Sequence, residues 1–244
     1  MLKAKIPATA SMLRVSNLRK GFGSGPRRLE VLKGIEMEVQ KGELVSLMGP
    51  SGCGKSTLLN IIGGLLEGDS GNISLGSFNY GTKSPSRVVD VRRNGVGWIF
   101  QDFHLVDRLN ALDNVAFSLE LSGVPSGEAE QRAKSALERV GLGDRMDFIP
   151  DQLSGGQQQR VAVARAISGS RPLILADEPT GNLDVKSGQE VIELFQELCA
   201  EDGLSVLMVT HDPILASMAD RMLLLKDGLT AASDIRSAWG IEEE

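Results

Sequence analysis

From Leu173 onward the chain alternates short, wholly apolar runs with segments whose apolar residues recur every three or four positions. "LILA" (173–176) comes first, then a stretch with the face Val191, Leu194, Phe195 and Leu198, then "SVLMVT" (205–210) and "RMLLL" (221–225). Such runs between amphipathic helices predict parallel strands covered on both faces, so the class is α/β. Residues 12–48 read differently, as short apolar pieces cut by turns: "LRVSNL", the glycine-rich "GFGSG", "VLKGIEMEV" and "LVSLM". This part is predicted to be strand-rich. "TLLNIIGGLL" has helical spacing, and "GNISLGS" reads as a piece of a hairpin bounded by glycine. From about residue 103 the pattern turns helical, and "EAEQRAKSALERVGL" sets Ala129, Ala133, Ala136, Leu137 and Val140 on one helix face. The region of about 103–160 is therefore expected to be an inserted helical subdomain, with no repeat or low-complexity tract to suggest another organisation.

Composition narrows the function classes. The 244 residues, 41% hydrophobic and 24% charged, are near the globular average and long enough to bury a sizeable core. A net charge of -6 argues against nucleic acid as a partner, since that partner requires a basic face. No apolar stretch approaches the roughly 20 residues needed to span a bilayer, and "MLKAKIPATASM" has no apolar secretory core. The expected location is cytoplasmic. Only two cysteines occur, Cys53 and Cys199, which gives neither a metal set nor a disulfide framework.

Three stretches carry chemistry. "GPSGCGKST" (Gly49, Pro50, Ser51, Gly52, Cys53, Gly54, Lys55, Ser56, Thr57) fits G-x-x-x-x-G-K-[ST] and lies between an apolar strand and a helical segment. Its glycines let main-chain N–H groups converge on a phosphate, the helix start adds positive charge, Lys55 would reach the β- and γ-phosphates and Ser56 would ligate Mg²⁺. A glycine-rich turn with a surface lysine is the competing reading. "LILADEP" ends an apolar strand in two carboxylates: Asp177 is placed to hold Mg²⁺ and Glu178 to take a proton from water, against the alternative of two solvated acids. In "LSGGQQQR", Ser154 offers a hydroxyl, Gly155 and Gly156 leave N–H groups exposed, and the helix they open supplies a second positive end. One nucleotide does not need two anion cradles from one chain. Cys53, beside Lys55 and a helix start, is expected to be a reactive thiol, unless its sulfur turns inward.

With these motifs the sequence resembles the ATP-binding cassette (ABC) ATPases over about residues 12–230, leaving 1–11 and 231–244 as terminal extensions. The resemblance implies the P-loop ABC fold, with a mainly parallel core sheet, an N-terminal antiparallel β part and the helical insertion. It implies ATP and Mg²⁺ as ligands and a head-to-tail pair of chains, in which Ser154, Gly155, Gly156 and Gln157 of one copy close on the ATP held by the other. Carried over residue by residue, Gln101 in "WIFQD" would contact Mg²⁺ and the attacking water, and His211 in "VLMVTHD" would contact the γ-phosphate. Asp184 in "GNLD" would link the two ATP sites, and Phe22 in "RKGFGSG" would stack on adenine in place of the commoner tyrosine. Trp98 is expected beneath the Gln101 loop, and His104 and Tyr80 in ordinary packing roles. Trp239 and the final "IEEE" fit no part of the pattern.

Two functions follow from the resemblance. The first is an ATPase subunit, peripheral on the inner face of the cytoplasmic membrane, that drives a separate transmembrane permease. "EPTGNLD" and the length look like the branch serving lipoprotein release, macrolide export and cell division, which points to export or extraction. The short stretch after His211 leaves no room for the regulatory domain of some sugar importers. The second is a soluble ABC ATPase of an assembly system such as iron–sulfur cluster biogenesis. The absence of long heptad arms and of a second cassette disfavours chromosome and translation types.

Overall fold

The computed structural model describes residues 11–232. Trp239 and the final "IEEE" lie outside them. Two sheets form. The first is antiparallel, in the order β2-β1-β4-β5, from β1 (Ser11–Phe22), β2 (Leu29–Gln40), β4 (Ser70–Leu75) and β5 (Phe78–Tyr80). The second has the order β10-β9-β3-β8-β7-β6, from β3 (Leu44–Met48), β6 (Val96–Phe100), β7 (Leu173–Asp177), β8 (Ser205–Val209), β9 (Arg221–Lys226) and β10 (Leu229–Ala232). Every pairing in it is parallel except the β9–β10 edge hairpin, which turns at Asp227-Gly228.

The wholly apolar runs are explained by cores on both faces of this second sheet. Along β8, Val206 and Met208 join one cluster while Leu207 and Val209 join the other. Strand β7 divides in the same way, Ile174 and Ala176 against Leu173 and Leu175. One core lies between the two sheets and takes in α1 (Lys55–Ile62) through Leu58, Leu59, Ile61 and Ile62. The other packs against α2 (Ala111–Leu121), α3 (Ser126–Arg139), α4 (Gly155–Ile167) and α5 (Val185–Asp202). The expected face of α3 is buried, as is that of α5. A short α6 (Pro213–Ser217) follows β8 and is capped by the Asp212 carboxylate.

The helical spacing of "TLLNIIGGLL" extends further than the helix does. Helix α1 stops at Ile62, because Gly63 caps it and Gly64 turns to φ +70°. Trp98 fills the space this leaves, its indole lying directly over Gly63. The ring also stacks on Phe100, with centroids 5.3 Å apart and planes 2° from parallel, directly before Gln101. His104 meets the edge of Phe100 at 4.8 Å. Tyr80 is buried and donates its hydroxyl to the Ile62 carbonyl at the end of α1, and burial pushes its ionisation well above the ordinary value.

Candidate active site

The carboxyl ends of parallel strands are where an open α/β sheet leaves a crevice for ligands. Here β3 ends at Met48 and β7 at Asp177, side by side around β8 in the sheet order. A cavity of about 360 Å³ opens at that point, lined by Ser51, Gly52, Gly54, Lys55, Ser56 and Thr57 from the loop after β3 and by Asp177 and Glu178 from the end of β7. The expected phosphate loop and the expected carboxylate pair therefore share one site. Val31 and Val209 complete its wall.

Local backbone geometry explains the glycines of the loop. Gly49 has φ +153°, and a Cβ there would stand 2.2 Å from the Leu225 carbonyl oxygen. Gly54 caps α1 from the left-handed region at φ 107° and brings no side-chain acceptor. The first N–H groups of a helix have no intrahelical acceptor, so those of Lys55, Ser56 and Thr57 need an external one. An anion at the start of α1 would satisfy them, and the helix dipole would favour it. Lys55 folds back across the loop and donates to the carbonyls of Gly49 at 2.8 Å and Pro50 at 3.1 Å. Its ammonium group is thus already at the mouth of the cradle. Among the described residues no group of three or more His, Cys, Asp or Glu side chains is arranged to hold a metal. The Ser56 hydroxyl and the Asp177 carboxylate, both hard oxygen donors lining the cavity, would suit a Mg²⁺ ion bound with the phosphates.

Glu178 is held in an unusual backbone state, at φ 50°, with its N–H bonded to the Val209 carbonyl at 3.0 Å. A non-glycine residue there costs roughly 1–2 kcal/mol, which the surrounding bonds must offset. Its carboxylate accepts from the His211 main-chain N–H at 3.3 Å and lies 2.8 Å from His211 Nδ1. The acid is largely shielded, at 20% side-chain exposure, whereas the imidazole is 72% exposed. His211 therefore reaches the site through Glu178.

Other expected residues lie elsewhere in the chain. The Gln101 amide is not in the cavity; it donates to Asn182 Oδ1 at 3.2 Å. Ser154 caps α4 in a reciprocal pair: its Oγ accepts from Gln157 N–H at 3.3 Å and Gln157 Oε1 accepts from Ser154 N–H at 3.0 Å. Gly156 packs so tightly on α5 that a Cβ would stand 3.2 Å from Ser187. Asp184 caps α5, accepting from Ser187 N–H at 3.0 Å and from Ser187 Oγ at 2.6 Å, and these bonds hold its carboxyl below the usual range. Asp184 and Gly156 thus sit next to the same serine, outside the cavity.

Phe22, at 44% exposure, offers an open ring with Lys20 Nζ 5.5 Å from its centroid. It pairs across the strands with Leu29, and Leu29 lines a shallow hollow of about 270 Å³ together with Pro50, Ser51 and Cys53. Phe22 thus stands across the strand pair from a residue that borders the phosphate loop, and does not itself line the hollow. Leu29, Val31 and Asn182 escaped sequence reasoning. The alternation along β2 assigns faces, but no local signal says that its exposed end borders the loop.

Cys53 is half-buried and borders the 270 Å³ hollow, not the phosphate cavity, which is nearer the inward-turned alternative. Its sulfur stands 2.8 Å from the place a Gly49 Cβ would occupy, it packs against the inter-sheet core, and it is not in the cavity wall. Cys199 is buried, and burial pushes its thiol up to about 12. Native chain treated with a maleimide at pH 7 is expected to modify both cysteines at least about tenfold more slowly than chain unfolded in guanidinium, because Cys199 must form thiolate against its burial and both sulfurs must be reached past core packing. Intact-mass time courses measure this, and equal rates would show that the Cys53 sulfur is accessible.

The sequence profile described as ABC transporter matches residues 32–181, a span that includes the phosphate loop, the carboxylate pair and Ser154-Gly155-Gly156. The chain belongs to the ABC transporter family. The cassette is 44% identical over 228 residues to the uncharacterized ABC transporter ATP-binding protein YknY of Bacillus subtilis, covering 93% of this chain and 99% of that one. It is 43% identical to the lipoprotein-releasing system ATP-binding protein LolD of a Shewanella species, covering 91% of this chain and 96% of LolD. With the macrolide export ATP-binding/permease protein MacB 1 of Aeromonas hydrophila it shares 44% identity over 91% of its own length but only 34% of MacB 1. A solved cassette, MJ0796, in a dimeric post-hydrolysis state bound to ADP and Pi, superposes with a TM-score of 0.78 at 38% identity, covering 91% of this chain and 98% of that one. The fold is thus that of an ABC ATPase cassette.

Proposed function

We propose that this cassette is the ATP-hydrolysing subunit of a membrane ABC transporter, working as a head-to-tail pair that binds two ATP and drives a separate transmembrane permease in export or extraction. The observation that carries the reading is the division of the anion-binding features. Lys55, Ser56, Asp177 and Glu178 meet in one cavity, while the Ser154 helix start lies outside it and needs another chain's nucleotide to serve. The dimeric, ADP- and Pi-bound state of MJ0796 supports the pairing.

In this reading the loop N–H groups from Gly52 to Thr57 and the Lys55 ammonium cradle the phosphates, Ser56 and Asp177 would hold Mg²⁺ with Gln101 joining them once its amide leaves Asn182, and Phe22 faces adenine. Mg²⁺ neutralises charge on the phosphates when bound. Glu178 orients a water and takes its proton as the water oxygen bonds to the γ-phosphorus and the bond to the bridging oxygen breaks, giving ADP and phosphate. His211, bound to Glu178 at 2.8 Å, contributes a second polar group next to the γ-phosphate.

The printed names of LolD and MacB 1 support the transport assignment and the export branch, and no described helix is long and apolar enough to cross a membrane. The cassette would then sit on the inner face of the cytoplasmic membrane through its permease. Affinity capture of the chain from cells in mild detergent is the direct test. Co-purification of one membrane-spanning protein in stoichiometric amount is expected. Recovery of the chain wholly from the non-membrane fraction, without such a protein, overturns the reading.

A further inference from the structure

The turn that follows Glu178 carries an amide that the catalytic reading leaves without a task. Gly181 N–H bonds to the Glu178 carbonyl at 3.1 Å and Leu183 N–H to the Thr180 carbonyl at 3.1 Å, so Asn182 is built onto the same tight turn as Glu178. From there the Asn182 side chain makes three contacts with the loop after β6. Nδ2 donates to the Gln101 carbonyl at 3.1 Å and to Asp102 Oδ1 at 2.9 Å, while Oδ1 accepts from Gln101 Nε2 at 3.2 Å. Gly181 lies directly under the Gln101 side chain, where a Cβ would come within 2.9 Å of its amide carbon. Both sides of this contact are exposed, so packing does not account for it.

We propose that Asn182 is the positioning residue for Gln101: it pins the Gln101 main chain to the Glu178 turn and parks the Gln101 amide outside the phosphate cavity until a ligand draws it in. The two halves of the side chain divide these tasks. The bonds from Nδ2 go to a main-chain carbonyl and to Asp102, so they persist when the Gln101 side chain turns. The bond from Gln101 Nε2 to Oδ1 must break for that amide to reach the cavity. Asn182 thereby fixes the pivot of the swing and holds its outer position. A leucine or alanine at 182 provides neither, and an aspartate replaces the donor with a charge facing Asp102 and the Gln101 carbonyl.

The proposal rests on the reading of Gln101 as a ligand-contacting residue, and a double-mutant cycle separates the two. Asn182→Ala, Gln101→Ala and the double variant are compared with the parent in the full chain. Amide exchange of residues 100–106 is measured without nucleotide, and the Mg²⁺ concentration for half-maximal ATP hydrolysis is measured with it. Asn182→Ala is expected to speed exchange of the Gln101 loop and to raise the Mg²⁺ requirement, each by about five- to tenfold, because it removes both Nδ2 bonds that fix the pivot and only the single Oδ1 bond that opposes the swing. In the Gln101→Ala background the same change is expected to leave the Mg²⁺ requirement within about twofold, because coupled residues are non-additive. Full additivity, or unchanged exchange in Asn182→Ala with a native melting temperature, overturns the positioning role. If Gln101→Ala alone leaves the Mg²⁺ requirement unchanged, it is the reading of Gln101 that fails.

Discussion

Glu178→Gln is expected to bind ATP as the parent does and to hydrolyse it at least about a hundredfold more slowly, the effect of removing a general base. The substitution keeps the shape of the side chain and its place beside His211, but it replaces a proton acceptor with an amide. The left-handed backbone at Glu178 and its bond to Val209 do not depend on the side chain's charge, so the fold should be unaffected. Trapped ATP should also hold two copies of the variant together, visible as a dimer in size-exclusion chromatography with MgATP. Turnover within a few-fold of the parent would exclude Glu178 as the base.

The second large effect is all-or-none. With Cys53 and Cys199 replaced by serine and Glu178 by glutamine, chains carrying Ser51→Cys are mixed with chains carrying Ser154→Cys. Disulfide-linked dimer is expected on adding MgATP and not without it. Ser51 lines the phosphate cavity and Ser154 does not, so only a partner's Ser154 closing over that cavity brings the thiols within the roughly 4.4–6.8 Å Cα separation a disulfide needs. No cross-linked dimer from the mixture, or an internal bond in chains carrying both changes, would exclude the head-to-tail arrangement.

Much of this molecule was legible because its strongest signals are local. The apolar runs "LILA" and "SVLMVT" could satisfy two covered faces only as central parallel strands, and they form β7 and β8, while "RMLLL" forms β9 next to the edge strand β10. The loop from Gly49 to Thr57 and the pair Asp177-Glu178 announce their chemistry by residue type and spacing, and the structure brings them to one cavity. What the sequence hid depends on contacts between distant segments. The Cys53 sulfur turns towards the core because Gly49 leaves room for it, which no reading of "SGCGKS" could show. Gln101 and Asn182 are far apart in the chain, and a polar pair across two loops has no periodicity to reveal it. Helix α1 ended early because its spacing signal runs through Gly63-Gly64, where backbone freedom overrides the pattern.

Arg165, near the end of α4, is partly buried and donates to the carbonyls of Phe103 at 2.6 Å and His104 at 2.5 Å. Those two residues both sit in the left-handed region, at φ 56° and 49°, an uphill conformation that the guanidinium clamps in place. The other end of α4 is Ser154, eleven residues and so about 16 Å away at the rise of an α-helix. The helix between them contains no proline, and Val161, Ala162, Val163 and Ala164 are wholly buried. It therefore joins a glycine-rich tip at one end to a clamped left-handed turn at the other. Ser154 and the segment just after Gln101 are thereby held by the two ends of one uninterrupted helix.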